Sequence, residues 1–235
     1  MKKFELATEF TKEFFGKTLF RIRALVSFGS ITEGEIGGWV EKEDNLDQDG
    51  DAWVYGNAQV SGDAQVSGDA QVSGDARVYG NAWVSGDARV YGDARVYGNA
   101  WVSGNARVYG DAQVSGDARV SGDAQVSGDA RVYGNAWVSG NARVSGDAQV
   151  YGDAQVYGDA HLITMSPIGS EGGCLTAFRQ KDNSIMVRRG CFSGTIDEFA
   201  AAVVERHGEA RYAKEYGIVI ELIKARLDEV EISDE

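Results

Sequence analysis

From Gly50 to Tyr157 the chain repeats G-[DN]-A-x-V-[SY] 18 times without an insertion. A strict period of six does not match an amphipathic helix, whose apolar positions recur every three or four residues. Within each unit Ala and Val alternate with the variable residue and Ser or Tyr, the in-out pattern of a four-residue strand with one buried face. The Gly-[Asp/Asn] pair supplies the corner, because Gly accepts positive φ and Asp or Asn bonds local backbone and tolerates the left-handed region. So short a strand has no stability alone, and units must stack on one another. Three units per coil place identical units in register every 18 residues. Six coils result, a prism roughly 29 Å long at the usual strand spacing. Val fills the interior, Ala lets the chain pass close to each corner, and only the two ends leave ladder groups open. Those ends need caps.

Composition agrees with a regular array rather than disorder: Gly numbers 31 of 235 residues, and the single Pro is Pro167. The net charge is −13, and residues 1–49, 50–157 and 158–235 are each acidic. No basic footprint for nucleic acid exists, and direct nucleic-acid binding is not expected. Residues 1–17 have no apolar core of a leader, and no run approaches the roughly 18 apolar residues of a membrane span. The expectation is a soluble, cytoplasmic protein without membrane contact.

The alternation of an aliphatic and a small inward residue at period six resembles the hexapeptide of left-handed parallel β-helices, and the left hand is what that resemblance implies. Gly37-Gly38-Trp39-Val40-Glu41 and Asn45-Leu46, followed by the G-[DN]-A-x-V-[SY] units, look like the YdcK-type β-solenoid proteins of bacteria and their prophages. Leu175-Thr176-Ala177-Phe178 with Gly190-Cys191-Phe192-Ser193-Gly194-Thr195 looks like a module of phage-encoded proteins. The expected fold is mainly β: a three-sided parallel β-helix of about six coils (residues 46–163), an N-terminal β cap (1–45) and a small C-terminal α+β cap (164–235).

Because stacking repeats every 18 residues, the variable positions form three columns. The first is Trp53, Gln71, Arg89, Arg107, Gln125, Arg143 and His161; the second is Gln59, Arg77, Arg95, Gln113, Arg131 and Gln149; the third is Gln65, Trp83, Trp101, Arg119, Trp137 and Gln155. Asn81, Asn99 and Asn135 precede the third-column tryptophans, although Asp outnumbers Asn 12 to 6 at the corners, and Ser always follows them. Tyr79, Tyr97, Tyr133 and Tyr151 mark the second face. The Trp column with Arg119 reads either as a stabilising aromatic ladder or as a face for a partner or for a second and third copy of the chain. Stacking of sugars or bases is a third use. Asp at the corners gives one carboxylate each, a poor cage, so no metal and no cofactor is expected.

At the first end, Leu19–Val26 suits a strand or two, Gly34 and Gly37-Gly38 mark turns, Trp39 plugs the prism, and Val40 and Leu46 fit interior positions of an irregular coil. At the second end, a two-residue turn at Asp182-Asn183 predicts Phe178 opposite Val187 and Cys174 opposite Cys191. A disulfide is then conceivable, although a reducing compartment favours two small buried thiols. Thr195-x-x-Glu198 opens a helix as a capping box and a second helix follows it. Arg179, Lys181, Arg188 and Arg189 form a basic cluster, either a solvated hairpin or a seat for an acidic partner or phosphate.

Three function classes fit. Hexapeptide acyltransfer needs a His general base, but only His161 and His207 exist, and no loop interrupts the array. A structural or assembly protein is disfavoured by capped ends, though trimers or dimers through one wall remain open. The preferred reading is a non-enzymatic binding protein that engages a host protein, in a phage context as an inhibitor of a defence system, with sequestration of a small signalling nucleotide as the alternative.

Overall fold

The computed structural model describes residues 2–227. Its centre is the array, in which 18 strands run from β4 (Trp53–Val54) to β21 (Gln155–Val156). Every array Ala and Val is buried, so the interior is a stack of methyl and isopropyl groups. Each strand spans only the variable residue and Val, not four residues, because the corner claims the rest. Ala70 N–H bonds back to Ser67 C=O at 3.3 Å around Gly68-Asp69, with Gly68 at φ +67. A Cβ on Gly68 would also stand 3.0 Å from Gly86 N in the next coil. Left-handed backbone and close coil approach thus both require glycine there. Asp and Asn corner residues stay outside the left-handed region.

The ladder has a direction. Asp69, Gln71 and Ser73 donate to the carbonyls of Gly86, Ala88 and Val90, each at 2.9 Å, and this pattern repeats up the array. Donors point toward the C-terminal end, so the first coil leaves carbonyls open and the last leaves N–H groups open. The caps match this asymmetry. At the first end Trp39, Glu41 and Asp47 N–H donate to Ala58, Val60 and Val66. Asn45 Nδ2 reaches Gly62 O and Ala64 O at 3.0 and 2.8 Å. Lys3 Nζ reaches the carbonyls of Asp49, Gly50 and Ala52 at 3.1–3.2 Å, and burial pulls its pKa below the ordinary lysine value against four nearby aspartates. At the other end the acceptors are side chains: His161 Nδ1 takes Tyr157 N–H at 3.1 Å and Thr176 Oγ1 takes Gln149 N–H at 3.2 Å.

Three sheets form the walls. The second-column sheet extends to nine strands because β1 (Phe4–Phe14), β2 (Lys17–Ala24) and β3 (Ile36–Val40) join it. β1 and β2 make an antiparallel hairpin turned by Phe15 and Gly16, both with positive φ. β3 runs parallel to the array, with Val40 beside Val60. Leu46 bridges Val66, so the irregular first coil exists. Two expectations at this end change. Gly37 and Gly38 are strand residues, not turns: a Cβ at Gly37 would lie 2.7 Å from both Trp53 Cζ2 and Val54 O. The plug is Trp53, fully buried against Phe4 and Phe28. Trp39 faces outward, with the Arg21 guanidinium 4.6 Å and Lys12 Nζ 5.0 Å from its ring.

The C-terminal unit is larger than a hairpin. β22 (Leu162–Ile168), β23 (Gly173–Arg179), β24 (Ile185–Arg189) and β25 (Phe192–Thr195) form an antiparallel meander, so the boundary expected after residue 163 falls inside β22. Phe178 and Met186 on one face complete the solenoid core, while Leu175, Ala177, Ile185 and Val187 on the other face pack the helices. Helix α1 (Ile196–His207) starts on the reciprocal Thr195–Glu198 capping box and stops at Gly208; α2 (Arg211–Leu227) buries Tyr216, Val219, Ile220, Ile223 and Leu227. Beyond β23 and before β24, Gln180 N–H still bonds Ser184 C=O at 2.9 Å, so the turn itself holds three residues, with Asn183 at φ +65. That extra residue slips the register by one, pairing Phe178 with Met186 and Ala177 with Val187. Cys174 therefore does not face Cys191. Both thiols are free, Cys174 partly buried and Cys191 exposed in the β24–β25 turn.

Candidate functional site

The third wall carries its tryptophans on strands whose Val points inward, which forces the indole outward on the same pleat. Trp83 and Trp101 belong to consecutive coils and stack with ring centroids 5.3 Å apart and planes 22° from parallel. In the next coil Arg119 brings its guanidinium to 5.8 Å from the Trp101 ring. Trp137 follows, its Nε1 donating to Ser121 Oγ at 3.4 Å and its ring edge-on to Tyr157 at 5.7 Å. The three indoles remain 38–40% exposed. Neighbours therefore cover part of each ring and leave a rail of Trp83, Trp101, Arg119 and Trp137 open along the wall.

The asparagines beside this rail have a physical reason the sequence did not disclose. Asn81 Nδ2 donates to Asn99 Oδ1 at 3.0 Å, Asn99 Nδ2 to Asp117 Oδ1 at 2.9 Å, and Asn135 Nδ2 to Asp153 Oδ1 at 3.1 Å. Corner side chains one coil apart are direct neighbours, and consecutive carboxylates would repel. The amide converts that repulsion into a ladder and lowers the charge of the wall. At its foot, a groove of about 570 Å³ runs from Trp83 past Gln65 to Lys42 and Asp47. Lys42 and Asp63 close one side through a 2.6 Å ion pair, which raises the lysine pKa and lowers that of the carboxylate.

The other two walls carry tyrosine stacks: Tyr79–Tyr97 and Tyr91–Tyr109 at 5.0 Å, and Tyr133–Tyr151 at 5.3 Å. The first-wall pair went unnoticed in the sequence, although its 18-residue spacing was visible there.

The sequence-adjacent basic residues do not form one patch. Arg179 is buried and donates to the Asn183 carbonyl inside its own hairpin. Arg188 lies 5.8 Å over Tyr151 on the solenoid side of the sheet. Arg189 donates to Ile168 O at 2.7 Å, and Lys181 is exposed at the turn. Neighbours along a strand point to opposite faces, which disperses the cluster. His161 likewise leaves its column: residues Asp159–His161 form a short helical turn, and the buried imidazole caps the last coil. His207 rests against Tyr212 and Tyr216. Among the described residues, no group of three or more His, Cys, Asp or Glu side chains is arranged to hold a metal ion.

Parallel coils of one hexapeptide, with inward Ala and Val and glycine corners, define the repeat. The family described as YdcK Beta solenoid repeat matches residues 70–86, 88–104, 100–114, 112–126, 124–140 and 136–152. Residues 70–152 of the array are thus YdcK β-solenoid repeats. The YdcK repeats carry Trp83, Trp101, Arg119 and Trp137, and both caps lie outside the matched residues. No curated protein matches the chain significantly. Among the described residues, no helix is long and apolar enough to cross a membrane.

Proposed function

We propose that this protein is a non-catalytic scaffold that binds another protein through the tryptophan rail of its third wall. The observation that carries this reading is the stacked, 38–40% exposed Trp83 and Trp101, continued by Arg119 and Trp137. Large aromatic and arginine side chains on a charge-poor strip are the residue types that anchor interfaces, and this chain is otherwise acidic. A rigid prism presents such anchors with little ordering cost. Both histidines are engaged by neighbours, His161 as a backbone acceptor and His207 among tyrosines, which favours binding over general-base chemistry. The resemblance of the terminal segments to phage-encoded modules supports a bacterial host protein as partner, cytoplasmic location, and inhibition of a defence system as the outcome.

The test compares tagged wild type with Trp83→Ser/Trp101→Ser/Trp137→Ser in host lysate, with binding of the recovered partner then measured from purified components. A partner held by wild type and lost by the variant, at equal thermal stability, supports the rail. Equal recovery overturns it. Light scattering on both proteins shows whether the rail serves self-association instead.

A further inference from the structure

A second recessed surface lies on a different wall. A groove of about 510 Å³ opens between the β1–β2 hairpin tip and the second wall, lined by Phe14, Phe15, Arg77, Tyr79, Gly80 and Arg95. Its size suits a small organic ligand.

The charge here runs against the rest of an acidic protein. Among the described residues, Arg77 and Arg95 form no ion pair. Arg77 instead lies 5.0 Å over the Phe14 ring. Lys12, just outside the groove, sits between Trp39 and Phe14 at 5.0 and 5.9 Å. Burial, helped by Arg77 and Arg21, pulls its pKa below the ordinary lysine value. Arg77 and Lys12 thus lie against aromatic rings rather than carboxylates, while Lys17, also on the lining, is paired with Glu41.

One coil nearer the N-terminus, the protein itself shows what this corner binds. Glu41 Oε2 accepts Gly62 N–H at 2.6 Å and Lys17 Nζ at 2.7 Å. Gly80 is the next corner of the same column, and its N–H has no acceptor among the described residues. Two guanidinium groups and a backbone donor there suit a phosphate, which arginine binds through paired hydrogen bonds. Phe15 is 87% exposed at the rim and Tyr79 presents a ring stacked on Tyr97, which gives a flat base surfaces to lie against.

We propose that this groove binds a nucleoside phosphate, its phosphate on Arg77, Arg95 and the Gly80 amide and its base against Phe15 and Tyr79. The site is independent of the tryptophan rail. Isothermal titration with AMP, adenosine and inorganic phosphate tests it, using the full chain. AMP binds at least about tenfold more tightly than either fragment, a difference of about 1.4 kcal/mol. Arg95→Gln, which breaks no ion pair, weakens AMP by about tenfold and leaves adenosine unchanged; Phe15→Ser weakens both. Arg143→Gln on the first wall changes nothing. Absence of AMP binding at millimolar concentration, equal binding of AMP by wild type and Arg95→Gln, or tighter binding of poly-glutamate than of AMP overturns the proposal. Retained AMP binding in the triple Trp→Ser variant separates this site from the rail.

Discussion

Asn45 donates its side-chain amide to the carbonyl of Ala64 at 2.8 Å, and with its other contact to Gly62 it seals one corner of the first coil. Asn45→Asp keeps the shape but turns two donor contacts into an acceptor facing carbonyls. The expected cost is about 1–3 kcal/mol, the penalty for a buried group left unpaired. A lowered denaturation midpoint in urea, partly restored as the new carboxyl protonates in mild acid, is the outcome to look for. An unchanged midpoint would mean that water serves these carbonyls equally well.

Gly37→Ala puts a methyl 2.6 Å from Ile22 Cγ1 and 2.7 Å from the Val54 carbonyl oxygen. Because one obstacle is backbone, relaxation is limited, and about 1–3 kcal/mol of destabilisation follows from overpacking. Hydrogen exchange then rises first in the cap and first coil, with the last coils still protected.

Asn99→Asp sets carboxylates at two consecutive corners of one column, since Asp117 follows, and removes the amide that now donates to it. The loss is on the order of 0.2–1 kcal/mol. It shrinks in about 1 M salt, where the screening length falls to about 3 Å. Thermal melts of both proteins at low and high salt measure it. A salt-independent difference would assign the loss to the hydrogen bonds instead.

His161 has its pKa lowered from 6.5, chiefly by burial and further by Arg179, against the effect of backbone hydrogen bonding. The unfolded chain therefore takes up the proton first as the solution acidifies. Stability from this residue is complete above pH 6.5 and declines as pH falls from there toward the lower folded value. Replacing His161 with Asn flattens that part of the stability–pH curve. A curve of unchanged slope would show that the imidazole titrates freely.

Cys191 is exposed and Cys174 partly buried, with burial raising the Cys174 thiol pKa. Iodoacetamide labels Cys191 first, and mild oxidation yields no intramolecular disulfide in the folded protein. Rapid formation of a Cys174–Cys191 bond would restore the register that a two-residue turn demands.

The array was legible because its side-chain period is locked by stacking: the columns that contain Trp83, Trp101 and Trp137 pair as the 18-residue spacing requires. The ends were not, because there the period stops and contacts come from elsewhere in the chain. Trp53 occupies an outward position by pattern, yet Phe4 and Phe28 cover it. Asn183 enters the left-handed region and adds a residue to its loop, which no pattern of apolar residues reveals. The rail was visible as residues but not as chemistry, since its neutral amide ladder depends on side-chain contacts between coils. The groove on the second wall escaped notice because Phe14 and Arg77 are 63 positions apart in the chain.

Identical corners stacked in register also make the molecule's length quantised. Removing three adjacent hexapeptides, such as residues 104–121, reconnects Gly to Ser and preserves both caps, shortening the prism by one strand spacing. Removing one or two would rotate everything downstream by a third or two thirds of a turn, carrying Trp137 onto a different wall and presenting the wrong face to the C-terminal sheet. Only whole coils can be gained or lost without scrambling what each side displays. A gene that encodes nearly identical repeats would thus have a built-in way to change reach while keeping identity, one coil at a time.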